Sequence, residues 1–135
     1  MSKSIQDITG IGPKDAGLLF QQGIYTSSKL LEVAGNRSGR KVLAINTSIS
    51  ESNILQWVNL CDLFRIKGIA GQFAELLEGA GVATVKELGN CNAANLAQKM
   101  AAVNKHRHLC NTTPNATIVA GWIIQAKLLE PMVTD

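Results

Sequence analysis

The chain has 135 residues, 46% hydrophobic and only 17% charged, with 13 Lys and Arg against 10 Asp and Glu for a net charge of +3. That length suits one domain, or two small modules sharing a core, and hides roughly two-thirds of the unfolded surface, so neither a disulfide nor a metal is needed to hold it. The composition excludes a disordered or strongly polycationic chain, and three cysteines, an odd number, do not read as a disulfide framework. Aromatic residues are 4% of the total, so the interior must be built from Leu, Ile, Val and Ala. A net charge of +3 is compatible with a nucleic-acid partner without being evidence for one.

The opening residues, Met1 to Asp7, lack the apolar run of a signal peptide. The most apolar late stretch, Ile118 to Leu129, is interrupted by Gly121, Gln125 and Lys127 and falls short of the ~20 residues a membrane span needs. A cytoplasmic protein is expected, with no membrane partner. The first patterned element is Ile8-Thr9-Gly10-Ile11-Gly12-Pro13-Lys14, two glycines followed by a proline at a first helical position, where its missing N–H costs nothing. Ala16, Leu18, Leu19 and Phe20 then supply an apolar helix face, and Gly23 fits a left-handed helix stop with Ile24 packing back after it. Ser48-Ile49-Ser50-Glu51 is expected to form a capping box opening the next apolar helix, Ile54 to Phe64. In that helix only Gln56, Asn59 and Asp62 are polar, a narrow stripe that marks a central, buried helix.

The pattern then starts again. Residues 8–30 align with residues 66–88 at an offset of 58 without a gap, and 9 of 23 positions are identical. They are Ile8/Ile66, Gly10/Gly68, Ile11/Ile69, Ala16/Ala74, Leu18/Leu76, Leu19/Leu77, Gly23/Gly81, Thr26/Thr84 and Leu30/Leu88. Average composition would give about one or two identities. Trp57-Val58 and Trp122-Ile123 match at an offset of 65, so the second copy carries a longer insert. A period this long means a duplicated supersecondary unit rather than a short-repeat solenoid. Thr84-Val85-Lys86-Glu87 reads as a capping box, a segment from about Ala93 to Val103 as further helix, and residues 119–129 as a second central helix. Nothing alternates at period two, so the fold class is all-α.

A helix, a turn written apolar-Gly-apolar-Gly and a second helix resemble the helix-hairpin-helix module, with Ile8 to Lys14 a good match and Ile66-Lys67-Gly68-Ile69-Ala70-Gly71 a degraded one. More closely, the chain is similar to a small bacterial domain-of-unknown-function family numbered 4332. That likeness rests on Gly10 to Lys14, Trp57-Val58-Asn59, Asp62-Leu63, Arg65 to Ile69, Ala74 to Glu78, Ala80-Gly81-Val82 and Thr84 to Leu88. The resemblance implies one domain over 1–135, a compact pseudo-twofold pair of helix-hairpin-helix units sharing one core. Its two repeats are about 5–64 and about 65–130. It implies no firm biochemical activity.

Members of the wider module that bind DNA do so without reading sequence, aiming turn amides at a phosphate from a helix N-terminus. Carried onto this chain, Gly10, Ile11, Gly12 and Lys14 would form one phosphate cradle. Lys67 and Gly68 would form a weaker second one, since Ala70 and Gln72 stand where Gly12 and Lys14 stand. Residues 33–50 hold Arg37, Arg40 and Lys41 with no acid, and residues 88–129 hold Lys99, Lys105, Arg107 and Lys127 with no acid. If those segments share a face they make a basic surface flanking the hairpins; if they face apart they are ordinary solvated loops. Trp57 and Trp122, at equivalent places on apolar helices, read as core, as does Cys61. Cys91, His106, His108 and Cys110 do not follow a recognised zinc spacing, so no metal and no cofactor is expected, and the Lys105-to-His108 cluster reads as a solvated basic turn.

No nucleotide-binding loop, nucleophile elbow or metalloprotease motif is present, and no Asp follows either hairpin in the place a glycosylase would need it. A non-enzyme is expected. Two functions compete. One is a sequence-nonspecific nucleic-acid-binding module, DNA before RNA, using the hairpin amides with Arg37, Arg40, Lys41, Lys105 and Arg107 as flanking charge. The other is a protein-interaction or scaffold module whose hairpins are purely architectural.

Overall fold

The structure, a computed structural model, describes residues 3–69 and 71–135, and it is all-helical. It divides into two compact units, residues up to Arg65 together with Glu130–Asp135, and Ile66–Leu129. A single 3-10 turn, Ile5–Asp7, precedes α1 (Pro13–Gln21), α2 (Ser27–Ala34), α3 (Arg37–Thr47) and α4 (Glu51–Leu63) in the first unit. The second holds α5 (Gly71–Gly79), α6 (Val85–Gly89), α7 (Ala93–Arg107) and α8 (Ala116–Leu128). In the first unit α2, α3 and α4 pack mutually; in the second, α8 packs on α6 and α7, and α5 on α7.

Each unit opens on the same tight turn. Ile11 N–H bonds the Ile8 carbonyl at 3.2 Å and Ile69 N–H bonds the Ile66 carbonyl at 3.2 Å. Gly10 and Gly68, third in those turns, have φ of +94° and +99°, the conformation a type II turn demands of its third residue. The four flanking isoleucines, Ile8, Ile11, Ile66 and Ile69, are all buried. Sterics add a second requirement. A Cβ on Gly10 would lie 3.3 Å from the indole Nε1 of Trp57, and one on Gly68 would lie 3.0 Å from Nε1 of Trp122. Both tryptophans are buried, as their sequence context predicts, and their indoles lie against the turns.

The helix following each turn ends the same way. Ile24 N–H bonds the Leu19 carbonyl and Gly23 N–H that of Phe20; Val82 bonds Leu77 and Gly81 bonds Glu78 likewise. This is the Schellman arrangement expected from Gly23 and Gly81. Thr26 and Thr84 then cap α2 and α6 through their hydroxyls, and Glu87 accepts from the Ala83 N–H and the Thr84 hydroxyl, completing the predicted box. Each of the nine repeated identities therefore sits at a buried or half-buried face, a turn, a stop or a cap.

Three readings of the elements change. Ser48 caps nothing at an N-terminus; it ends α3 in the left-handed region at φ 61°, and Ser50 caps α4 by accepting from Asn53 N–H. The basic stretch 33–50 contains a helix, α3, capped by Asn36, rather than a solvated loop. The basic cluster at 105–107 is the last turn of α7, where cations complement the carbonyl end of the helix, and His108 is its left-handed cap.

Replacing Gly10 or Gly68 by Ala is expected to cost about 1–3 kcal/mol in urea unfolding, from a strained φ and an indole with no room to withdraw. A loss below about 0.5 kcal/mol at both positions would refute the indole-on-glycine packing.

Candidate nucleic-acid interface

The candidate site in the first unit is the start of α1. Gly12 is its N-cap, with φ −81° and ψ 175° and no side-chain hydrogen bond, and Pro13 is its first residue. Ala16 N–H already bonds the Gly12 carbonyl, so the Lys14 and Asp15 amides have no partner within the helix. By contrast α2, α3, α4, α6, α7 and α8 each carry an Asn, Ser or Thr cap accepting a first-turn amide. Gly12 is also unlike Gly10. Its φ is one any residue adopts, and no atom lies within 4 Å of where its Cβ would be. Neither a positive φ nor packing requires a glycine there; glycine is a favoured N-cap, and the open space leaves room for close approach by a ligand.

Gly10, Gly12 and Lys14 are exposed and Ile11 is buried, so Ile11 contributes its main chain at most. A recess of ≈ 420 Å³ adjoins the first turn of α1, bordered by Lys14 and Asp15, by Ser48 at the end of α3 and by Ser50 and Asn53 at the start of α4. The capping box expected from Ser48 opens this second helix start two residues early, since Ser50 is the cap. Asp15 places a carboxylate in the same first turn as Lys14, which weakens any anion held there.

On α3, Arg37 and Lys41 are exposed and one turn apart. Arg40 corrects the expectation of a surface cation. It is 5% exposed, and its guanidinium donates to the carbonyls of Ala34 (3.1 Å), Gly35 (2.8 Å) and Thr134 (2.6 Å). A buried guanidinium fixed on three carbonyls is not presented to a phosphate in this conformation.

The second unit is less open. Lys67 N–H donates to the Gln125 side-chain oxygen at 2.8 Å, and the Gln125 amide donates back to the Lys67 carbonyl at 3.2 Å. Gln125 thus closes both main-chain groups of Lys67, removing that amide from any phosphate cradle. The Lys67 side chain and Gly68 remain exposed. At the position that aligns with Gln125, α4 has Leu60, which has no amide to offer. Ala70, the residue that distinguishes the second turn in sequence, lies outside the described residues. Lys105 and Arg107 are exposed, and Arg107 runs alongside Gly79 of α5.

Titratable groups elsewhere are structural. Burial pushes the Cys61 thiol up to about 12, so it stays protonated at neutral pH. Cys91 and Cys110 are half-buried and free, and the Cys91 thiol is also raised, chiefly by burial. Among the described residues no group of three or more His, Cys, Asp or Glu side chains is placed to hold a metal ion. Asp62 is buried, bonded to Arg65 Nη1 at 2.7 Å, and the same Nη1 donates to the Glu130 carbonyl at 3.0 Å.

Two duplicated turn-and-helix units, one with an open helix start and one internally closed, define an all-helical class of tandem repeat. A family model described as Domain of unknown function (DUF4332) matches residues 9–129, and the chain belongs to that family. No curated protein and no solved structure matches it. No helix among the described residues is long and apolar enough to cross a membrane.

Burial raises the Asp62 carboxyl above its ordinary 3.8, outweighing the lowering effects of Arg65's hydrogen bond and charge. The folded state therefore holds this proton more tightly than the unfolded one. The resulting stabilisation is fully present below the ordinary value and is lost as pH rises through the raised one. Asp62→Asn, neutral throughout, is expected to gain in Tm relative to the parent as pH goes from about 3.5 to about 7. A difference that stays constant across that range would show that burial does not raise Asp62.

Proposed function

We propose that the protein is a non-catalytic, sequence-nonspecific nucleic-acid-binding module, and that the first unit carries the binding. The single observation supporting this reading is the open start of α1. Gly12 is an uncapped, unencumbered glycine beside Lys14, at a helix start without a side-chain acceptor. A phosphate oxygen can meet the Lys14 and Asp15 amides there, with the helix dipole and the Lys14 ammonium favouring it. Arg37 and Lys41 supply flanking charge. Lys67, Gly68, Lys105 and Arg107 belong to the reading only as secondary contacts, because Gln125 closes the second turn. Duplex DNA is the preferred partner, since a backbone-amide cradle reads phosphate and not base. The helix-hairpin-helix description belongs to the same proposal, supported by the two glycine turns. So does a cytoplasmic location, supported by three free thiols.

A second reading, a protein-interaction module, has its own observation. On α8, Ile118, Ile124 and Leu128 are 49%, 60% and 79% exposed along one side of a helix that is apolar nearly all round. Such a face is uncommon on a helix with no partner.

Fluorescence anisotropy with labelled duplex and single-stranded DNA and RNA, at ~50 and ~200 mM salt, separates the two readings. The expected result is micromolar duplex binding that weakens steeply with salt. Lys14→Glu should lower affinity several-fold and reduce the salt slope by about one. Gly12→Ala is the sharper probe. It should leave stability within about 1 kcal/mol of the parent, the unfolded-state gain being offset by the N-cap preference for glycine, while weakening binding by holding the phosphate off. Absence of duplex binding at ~50 mM salt, or binding indifferent to both substitutions, overturns the reading.

A further inference from the structure

The first unit is completed by a segment far away in sequence. Glu130–Asp135 runs in non-helical form and joins that unit. Arg65 holds its start through the Glu130 carbonyl. Thr134 N–H donates to the Gly35 carbonyl at 2.7 Å, and the Thr134 carbonyl accepts from Arg40 Nη2 at 2.6 Å. Between these points the segment passes so close to Gly35 that a Cβ there would overlap the Met132 carbonyl oxygen. The strap is held by main-chain groups more than by apolar burial: Glu130, Pro131, Met132, Thr134 and Asp135 are all exposed.

Its charge is opposite to what it covers. Residues 130–135 carry two acids and no cation, and residues 33–50 carry three cations and no acid. At roughly 100° per residue, Arg37, Arg40 and Lys41 lie within about 100° of arc on α3. Arg37 and Lys41 are open to solvent, and Arg40, at one edge of the arc, is the residue the strap bonds.

We propose that residues 130–135 are a displaceable strap that competes with a polyanion for the basic face of α3, and that binding of nucleic acid lifts it. This rests on the nucleic-acid reading above. The exchange is one acceptor for another, a phosphate oxygen replacing the Thr134 carbonyl at Arg40 Nη2. Arg40 keeps its bonds to Ala34 and Gly35, which hold the guanidinium in place for the incoming group. Lifting the strap also removes a segment that carries two acids and no cation.

The test uses the intact chain and a short DNA duplex. Hydrogen-exchange mass spectrometry at saturating duplex should show faster exchange in 130–135, the Thr134 amide included, and slower exchange at the start of α1. In parallel, Glu130→Gln/Asp135→Asn in the full-length chain, with Tm as the fold control, should bind severalfold tighter. A chain ending at Leu129 should bind about tenfold tighter at ~50 mM salt, as one charge-assisted contact is gained, with a salt slope steeper by about one. Should the shortened chain fail to fold, the exchange data and the full-length variant decide. Duplex binding with unchanged strap exchange, or a neutralised strap that binds no tighter, overturns the strap while leaving the cradle standing. No duplex binding by any form overturns both.

Discussion

An indole laid against a glycine is the contact from which each unit is built. Trp57 and Trp122 press their Nε1 edges on Gly10 and Gly68, at the point where the chain turns through a positive φ. The contact sets two directions together. It fixes how the tryptophan helix passes the turn, and the turn in turn fixes where the next helix starts. Two buried isoleucines clamp each turn from both sides, so a side chain on either glycine would disturb the core as well as strain the backbone. From there the geometry is determined step by step: a short helix, a Schellman stop, a threonine cap and a second helix carrying Leu30 or Leu88 into the interior.

The repeated identities account for architecture, so function must be sought where the copies differ. Three of the differences at or against the turns matter here. Gly12 faces Ala70 in the alignment, Lys14 faces Gln72, and Leu60 faces Gln125. Gln125 is the most telling because its effect is seen directly. By bonding both main-chain groups of Lys67 it makes the second turn self-sufficient, which removes the need for, and the access of, an external anion. The first turn lacks such a side chain and leads into a helix start lacking any cap. A duplication in which one copy is closed by its own glutamine and the other stays open is asymmetric in a way that composition conceals.

Much of this was legible in the sequence, and the limits have physical causes. The offset-58 repeat, the glycine stops, Pro13 at the first helical position and the buried tryptophans follow from local rules that act within a few residues. Helix α3 was not legible. Gly35 precedes it and Gly39 lies within it, its apolar positions are few, and its charge resembles that of a loop. Choosing Ser48 over Ser50 reflects two adequate caps two residues apart, decided by the left-handed end of α3, which no local pattern announces. Arg40 lay furthest out of reach. Its acidic-free surroundings suggested solvent, while the acceptor that completes its burial lies 94 residues along the chain. Gln125 and Lys67, 58 residues apart, are a similar case.

Arg40 also shows how the fold and the candidate interface constrain each other. A buried guanidinium carries a large desolvation cost, and carbonyl dipoles offset only part of what a carboxylate or phosphate would. No carboxylate is bonded to Arg40; its three acceptors are neutral carbonyls, two local and one on the strap. Asp62 shows the alternative within the same unit, a buried acid with Arg65 beside it whose carboxyl is nonetheless raised by burial. The half-buried Arg65 is paired with a carboxylate, whereas the more deeply buried Arg40 is not. Two local carbonyls fix the orientation of the guanidinium, and the remaining edge is met only by a main-chain oxygen from an exposed, acidic segment. An anionic oxygen at that edge would be the stronger acceptor, so the closed arrangement keeps Arg40 ordered without saturating its charge.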